Sequence, residues 1–301
     1  MNTLANRSNS FKRFFKADRE KTPKMETING KKVTKISLFF FFIVNFIWIG
    51  IPIIMAVLWS LVDPDHPWAY PQLFPEVLSF GRWSYMWENT SLAEAIWNSY
   101  RIAPVVAITS ILLSIPTAYA LGRLEFKGKK ICEMISLIPL VIPGMVIAIF
   151  FSAALMNLGI ENQFIGIVIG HTVLTLPYSI RIMAAGFKSV PQDMIDATRN
   201  LGGNYWTVFC NAFLPFLKPS LLAATIFCLV KSLEEFSISF VLGSPDFITV
   251  PTILYSFLGY SFVRPDAAVV SMILVIPNVI LMIIIEKLLK GNYASQSNGK
   301  A

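Results

Sequence analysis

Charge is scarce in this chain. Of 301 residues only 14% are Asp, Glu, Lys or Arg, against about 25% in an ordinary soluble domain. Histidine is scarcer still, with two residues, and the three cysteines (Cys132, Cys210 and Cys228) contain no C-x-x-C pair. An odd number of cysteines, in or beside apolar stretches, suits small buried hydrophobes rather than a disulfide framework. Two imidazoles are too few for most zinc or Ser-His-Asp sites, so no metal and no catalytic cluster is expected. What fills the chain instead is apolar: 55% hydrophobic residues with 24 Phe, and a mean hydropathy of +0.61. A soluble protein of this length could not bury that much apolar surface, so lipid must be the solvent for most of it.

Uncharged runs of about twenty apolar residues are what a helix needs to cross the hydrocarbon core. Six are expected here, over 36–62, 102–121, 134–160, 162–180, 219–242 and 267–285. The first follows a basic segment, is too long for a signal-peptide core, and has no A-x-A cleavage pattern, so it is expected to stay as a permanent helix. The fourth ends at Arg181, and the fifth is unusual in enclosing Lys231, Glu234 and Glu235. Ten lysines and arginines lie in residues 1–35, and more follow at Arg123, Lys127, Lys129, Lys130, Lys188, Arg199, Lys218, Lys287, Lys290 and Lys300. The opposite loops hold Arg82 and Arg264. This bias predicts both ends on the cytoplasmic side. It also explains the net charge of +7 as a topology signal, without nucleic acid. The expected organisation is a basic cytoplasmic tail over 1–35, a six-helix membrane domain over 36–290, and a short cytoplasmic tail over 291–301.

Between the first two spans, Pro64, Pro67, Pro71 and Pro75 precede Trp83 and Trp87 at helical spacing. Two readings fit: a short amphipathic helix at the interface, where Trp is favoured, or a contact surface for an external partner.

The largest polar exception is the connection over 187–218, far longer than a helix hairpin needs. A helix suits 192–201, Gly202-Gly203 breaks it, and a second helical stretch over 205–213 is expected to end at Leu214-Pro215. On residues alone this is a long connector or a built element. The segment resembles the cytoplasmic loop of ABC importer permeases, whose pattern is Glu-Ala-Ala, three residues, Gly, nine residues, Ile, one residue, Leu-Pro. Here Asp196-Ala197-Thr198 is followed by three residues, Gly202, nine residues, Ala212, Phe213 and Leu214-Pro215. The spacing matches throughout; the departures are Asp for Glu, Thr for the second Ala, and Ala for Ile.

The resemblance implies an all-α polytopic integral membrane protein with six helices and the type I ABC importer permease architecture, in a bacterial inner membrane. It implies that the loop is a coupling helix docking on a cytoplasmic ATPase. Asp196 would pair with a basic residue there, Met194, Ile195 and Trp206 would fill an apolar cleft, and Ala197, Gly202, Leu214 and Pro215 complete the motif. It further implies two ATPase copies, a second related permease or a second copy of this chain, and an external solute-binding protein. No cofactor is expected on this chain. Its nearest approach to a phosphate loop, Gly122 to Lys130, has five residues between glycines and a lysine where Ser or Thr should hold magnesium. ATP and Mg would belong to the partner.

Ionisable groups at membrane depth cost about 2.5–3.5 kcal/mol each at a helix centre. Lys231 can reach Glu234 and Glu235 at i+3 and i+4, or one carboxylate can face the translocation path. Candidate path residues are Glu234, Glu235, His171 and Tyr178, with a packed, hydrogen-bonded histidine as the plainer alternative for His171. Gly166 and Gly170 form a weak packing motif, and prolines inside the spans (Pro104, Pro116, Pro139, Pro143, Pro177, Pro277) permit bends. The run Ser232-Leu-Glu-Glu-Phe-Ser-Ile-Ser-Phe240, with Gly243-Ser-Pro and Thr249-Val-Pro251, resembles the polyamine/opine/phosphonate branch. Sugar permeases are similar but tend to have Trp-Asn-Glu-Phe there. A rival of another class, a secondary transporter or channel, would call for an inverted repeat, which the chain does not display.

Overall fold

A computed structural model describes residues 27–69, 71–261 and 263–298. The basic segment before residue 27 and residues 299–301 lie outside them. Two compact units are distinguished, Met1–Met55 and Ala56–Ala301. Five helices among the described residues are long and apolar enough to cross a membrane, and no strand occurs among them beyond one isolated bridge, Val62 to Leu78.

The first helix, α1 (Thr27–Ser60), contains the apolar stretch Lys35–Ser60. Past its end, Asp63 closes the segment that leads to the next helix: its carboxylate accepts from the Ser79 hydroxyl at 2.6 Å and the Asp65 amide at 2.9 Å. Those donors hold the Asp63 carboxyl below its ordinary value, the Ser79 hydroxyl most. The tryptophan-bearing stretch forms α2 (Gly81–Asn89). It is a packed element, not only an interfacial one: Met86 is fully buried, and Arg82 reaches Asp266 at 3.1 Å.

The second span is α3 (Leu92–Arg123), and the fourth is α7 (Gln163–Ser189), capped by Asn162 and running eight residues past Arg181. Arg181 therefore does not mark the inner end of that helix. The two helices pack along each other, joined inside by Ser110 to Thr175 at 2.7 Å and Thr109 to Thr172 at 2.9 Å. In lipid such hydroxyl pairs replace water as partners for polar groups. Gly170 faces Ile238 so closely that an added Cβ would lie 2.6 Å from its side chain.

The expected third span is broken. It becomes α4 (Lys129–Ser136), α5 (Ile138–Val141) and α6 (Gly144–Asn157). Ile142 is extended (φ −84°, ψ 132°), as a residue before proline prefers. The 14 residues of α6 rise only about 21 Å, short of the roughly 30 Å hydrocarbon core.

The connector supplies α8 (Gln192–Asn200), then α9 (Tyr205–Val208), a π-turn over Phe209–Phe213, and α10 (Leu214–Glu234). Leu214-Pro215 does not end a helix. The π-turn widens the spiral, with the Leu214 amide bonded five residues back to the Phe209 carbonyl, so Pro215 is accommodated and 205–234 forms one apolar span. The fifth span stops at Glu234 and restarts as α11 (Ser237–Gly243), followed by α12 (Val250–Tyr255), a second π-turn (Ser256–Tyr260) and α13 (Arg264–Asn298).

Candidate functional site

Two places gather the candidate residues. The first is the elbow between α8 and α9. The α8 helix closes in a Schellman arrangement: the Gly203 amide bonds the Thr198 carbonyl at 3.0 Å and the Gly202 amide the Arg199 carbonyl at 2.9 Å. Gly202 sits at φ +80°, left-handed territory that a Cβ penalises. Asn204 then caps α9, accepting from the Thr207 amide at 2.8 Å. The turn is thus hydrogen-bonded on both sides and has little freedom to bend.

Behind the elbow, Ile195 is 2% exposed and packs with Met183, Phe187, Val208 and Phe213. The expectation that Ile195 fills a partner's cleft is corrected: one residue on from Met194, and so about 100° around the helix from it, Ile195 points inward, because the other face of α8 must rest on the core. Arg123 fastens the same corner, donating to the Val190 carbonyl at 2.9 Å and the Gln192 side chain at 2.7 Å. Gln192 in turn donates to Asp196 at 3.0 Å. Outward lie Leu201 and Tyr205, about nine-tenths exposed, with Trp206, Met194, Asp196, Ala197 and Pro215; Leu214 is half-buried. Leu201 and Tyr205 went unnoticed in the sequence, although a Leu directly before a C-cap glycine and a Tyr directly after an N-cap Asn are the positions a tight turn thrusts outward.

The second place is a cavity of about 390 Å³ lined by His171, Tyr178, Lys231, Glu234, Glu235 and Phe236, together with the proline breaks of the third span. All four candidate path residues meet there. Two helices are interrupted beside this cavity, as non-helical backbone at membrane depth is tolerated where it lines one. Glu235 is not inside a continuous helix; it caps the restart, accepting from the Ile238 amide at 2.9 Å and the Ser239 amide at 3.3 Å. His171 is buried, with Nε2 3.1 Å from Glu235 and Nδ1 2.9 Å from the Ser232 hydroxyl. In the neutral ring Nε2–H donates to the carboxylate, an acceptor only, which leaves Nδ1 to accept from the Ser232 hydroxyl. The packed-histidine alternative describes it well. The Tyr178 ring lies against Phe227, tilted by 42° with ring centres 4.7 Å apart.

Glu234 differs. Half-exposed, it meets Lys231 only at 3.8 Å and accepts from Asn278 at 3.3 Å. The Lys231 pairing at i+3 is present; Glu235 takes its partners elsewhere.

Residues 110–291 match the family described as "Binding-protein-dependent transport system inner membrane component". The chain belongs to that family of importer permeases. It is 25% identical over 201 residues to the spermidine/putrescine transport system permease protein PotC of Escherichia coli (67% of this chain, 76% of the relative). It is 22% identical over 241 residues to the trehalose transport system permease protein SugB of Mycobacterium tuberculosis (78% and 88%). Among solved structures, one chain of a bacterial ABC transporter that imports the acidic polysaccharide alginate superposes with a TM-score of 0.68 at 18% identity, covering 88% of this chain and 98% of that one. That likeness extends over most of the chain and shows the permease fold.

Proposed function

We propose that this permease is the membrane-spanning subunit of an ATP-driven importer, coupled through the elbow to a cytoplasmic ATPase. The observation that carries the proposal is the rigid turn itself: a hydrogen-bonded left-handed glycine presents Leu201, Tyr205 and Trp206 to the outside, while Ile195 and Arg123 lock the same corner to the core. Such an element moves as one body with α3, α7 and α10, which is what force transmission needs. Asp196, tethered among the described residues by Gln192, is placed to pair with a basic residue of the ATPase.

ATP and magnesium belong to that partner, in two copies, and the chain works beside a second related permease or a second copy of itself. An external solute-binding protein delivers the cargo, both termini lie in the cytoplasm, and the membrane is a bacterial inner membrane. The core comprises 36–290, flanked by tails 1–35 and 291–301. For the cargo, a polyamine-like solute is favoured by the acidic pair at the helix break; a sugar is the second reading, supported by the similarity to a trehalose permease.

Gly202→Val would place a β-branched residue at φ +80°, at about 1–3 kcal/mol of local strain. The expected outcome is membrane insertion as in wild type, with solute uptake by the complete importer abolished. Uptake at the wild-type rate would contradict the elbow's role.

A further inference from the structure

Four rings connect the helix-break cavity to a second one. Phe236 lines the first cavity, and its ring lies 5.1 Å from Phe240 and 4.8 Å from Tyr255. Phe240 and Tyr255 are 5.4 Å apart, and Tyr255 meets Tyr260 at 5.5 Å. Phe240, Tyr255 and Tyr260 all line a cavity of about 520 Å³ beside the start of α3. None of the four belongs to the three buried apolar clusters, and Tyr260 is 69% exposed. Rings grouped for core packing would be sealed; these keep open faces along two cavities.

Charge decides what such a wall suits. The ionisable residues lining the two cavities, tyrosines and histidine aside, are Glu234, Glu235 and Lys231. Two carboxylates against one ammonium leave a negative balance, unfavourable for an anion. Aromatic faces attract cations within about 6 Å of the ring centre. Glu235 is spent on backbone amides and His171, whereas Glu234 is held by Lys231 at the outer limit of an ion pair. An incoming ammonium can take the place of Lys231 there. A continuous run of rings, in place of a single box, suits an elongated cargo.

We infer that the cargo is an elongated organic cation whose ammonium groups step along Phe236, Phe240, Tyr255 and Tyr260 and reach Glu234 at the inner end. The inference deepens the permease proposal and rests on it. The test is uptake of labelled spermidine, with labelled trehalose in parallel, by proteoliposomes holding the complete importer and its binding protein. Wild type should accumulate spermidine with ATP. Tyr255→Leu, and Tyr260→Leu at an exposed ring where folding is not at stake, should each lower that uptake by about tenfold. Tyr255→Phe, which keeps the aromatic face, should restore it, and Glu234→Gln should raise the spermidine concentration for half-maximal uptake. Lack of spermidine uptake by wild type, trehalose uptake in its place, or leucine variants equal to wild type would overturn the cation track while leaving the permease proposal standing. Solute movement without ATP by this chain alone would overturn the permease proposal beneath it.

Discussion

Glu235, His171, Ser232 and Ser239 form a closed polar unit inside a lipid-embedded bundle. Each group has a partner: the carboxylate takes two backbone amides and the His171 ring, while Ser232 and Ser239 lie 2.9 and 3.0 Å from the ring nitrogens. Removing the ring leaves a buried acceptor and two hydroxyls short of a partner, at a cost of about 1–3 kcal/mol. His171→Ala is therefore expected to lower the thermal midpoint of the detergent-solubilised protein, with His171→Gln falling between it and wild type; an unchanged midpoint for His171→Ala would show the ring to be dispensable. The sequence announced that Glu234, Glu235 and His171 were costly and needed a reason. It did not tell the two glutamates apart, because adjacency along a chain says nothing about where a helix stops. Only the break after Glu234 turns one carboxylate toward amides and leaves its neighbour in the cavity.

At the scale of elements, the hydropathy runs of the first, second, fourth and sixth spans fall largely within continuous helices, although Arg181 did not end the fourth, and the breaks in the third and fifth involve proline or a polar turn. Pro143 and its extended neighbour Ile142 split the third span. Pro215 did the opposite, because a π-turn absorbed it, and no residue pattern signals that in advance. The elbow was legible from its glycine and its spacing. The direction of each side chain was not, since which face of a nine-residue helix turns inward depends on what packs behind it. Ile195 is the case in point. Ile195→Ala should cost about 2–5 kcal/mol in lost core packing and release α8, seen as faster hydrogen exchange across residues 192–200. Met194→Ala, at a half-exposed position, should leave that exchange near wild type. Equal protection in both variants would mean that Ile195 does not anchor the helix.

At the scale of the whole molecule, a lipid-facing composition, basic loops and one long polar connector made the fold class and family legible. The aromatic run from Phe236 to Tyr260 was not, because its members come from α11, α12, a π-turn and the break before them, brought together only by folding. The proposed coupling further requires that energy enter through the elbow. The most direct measurement is site-directed cross-linking in the complete importer, from a background with Cys132, Cys210 and Cys228 replaced by serine. Leu201→Cys and Trp206→Cys should each cross-link to the ATPase subunit, while Leu73→Cys, comparably exposed but on the opposite side of the membrane in the proposed topology, should not. Cross-links from Leu73→Cys, or an importer that hydrolyses ATP while neither elbow cysteine touches the ATPase, would contradict coupling through this turn.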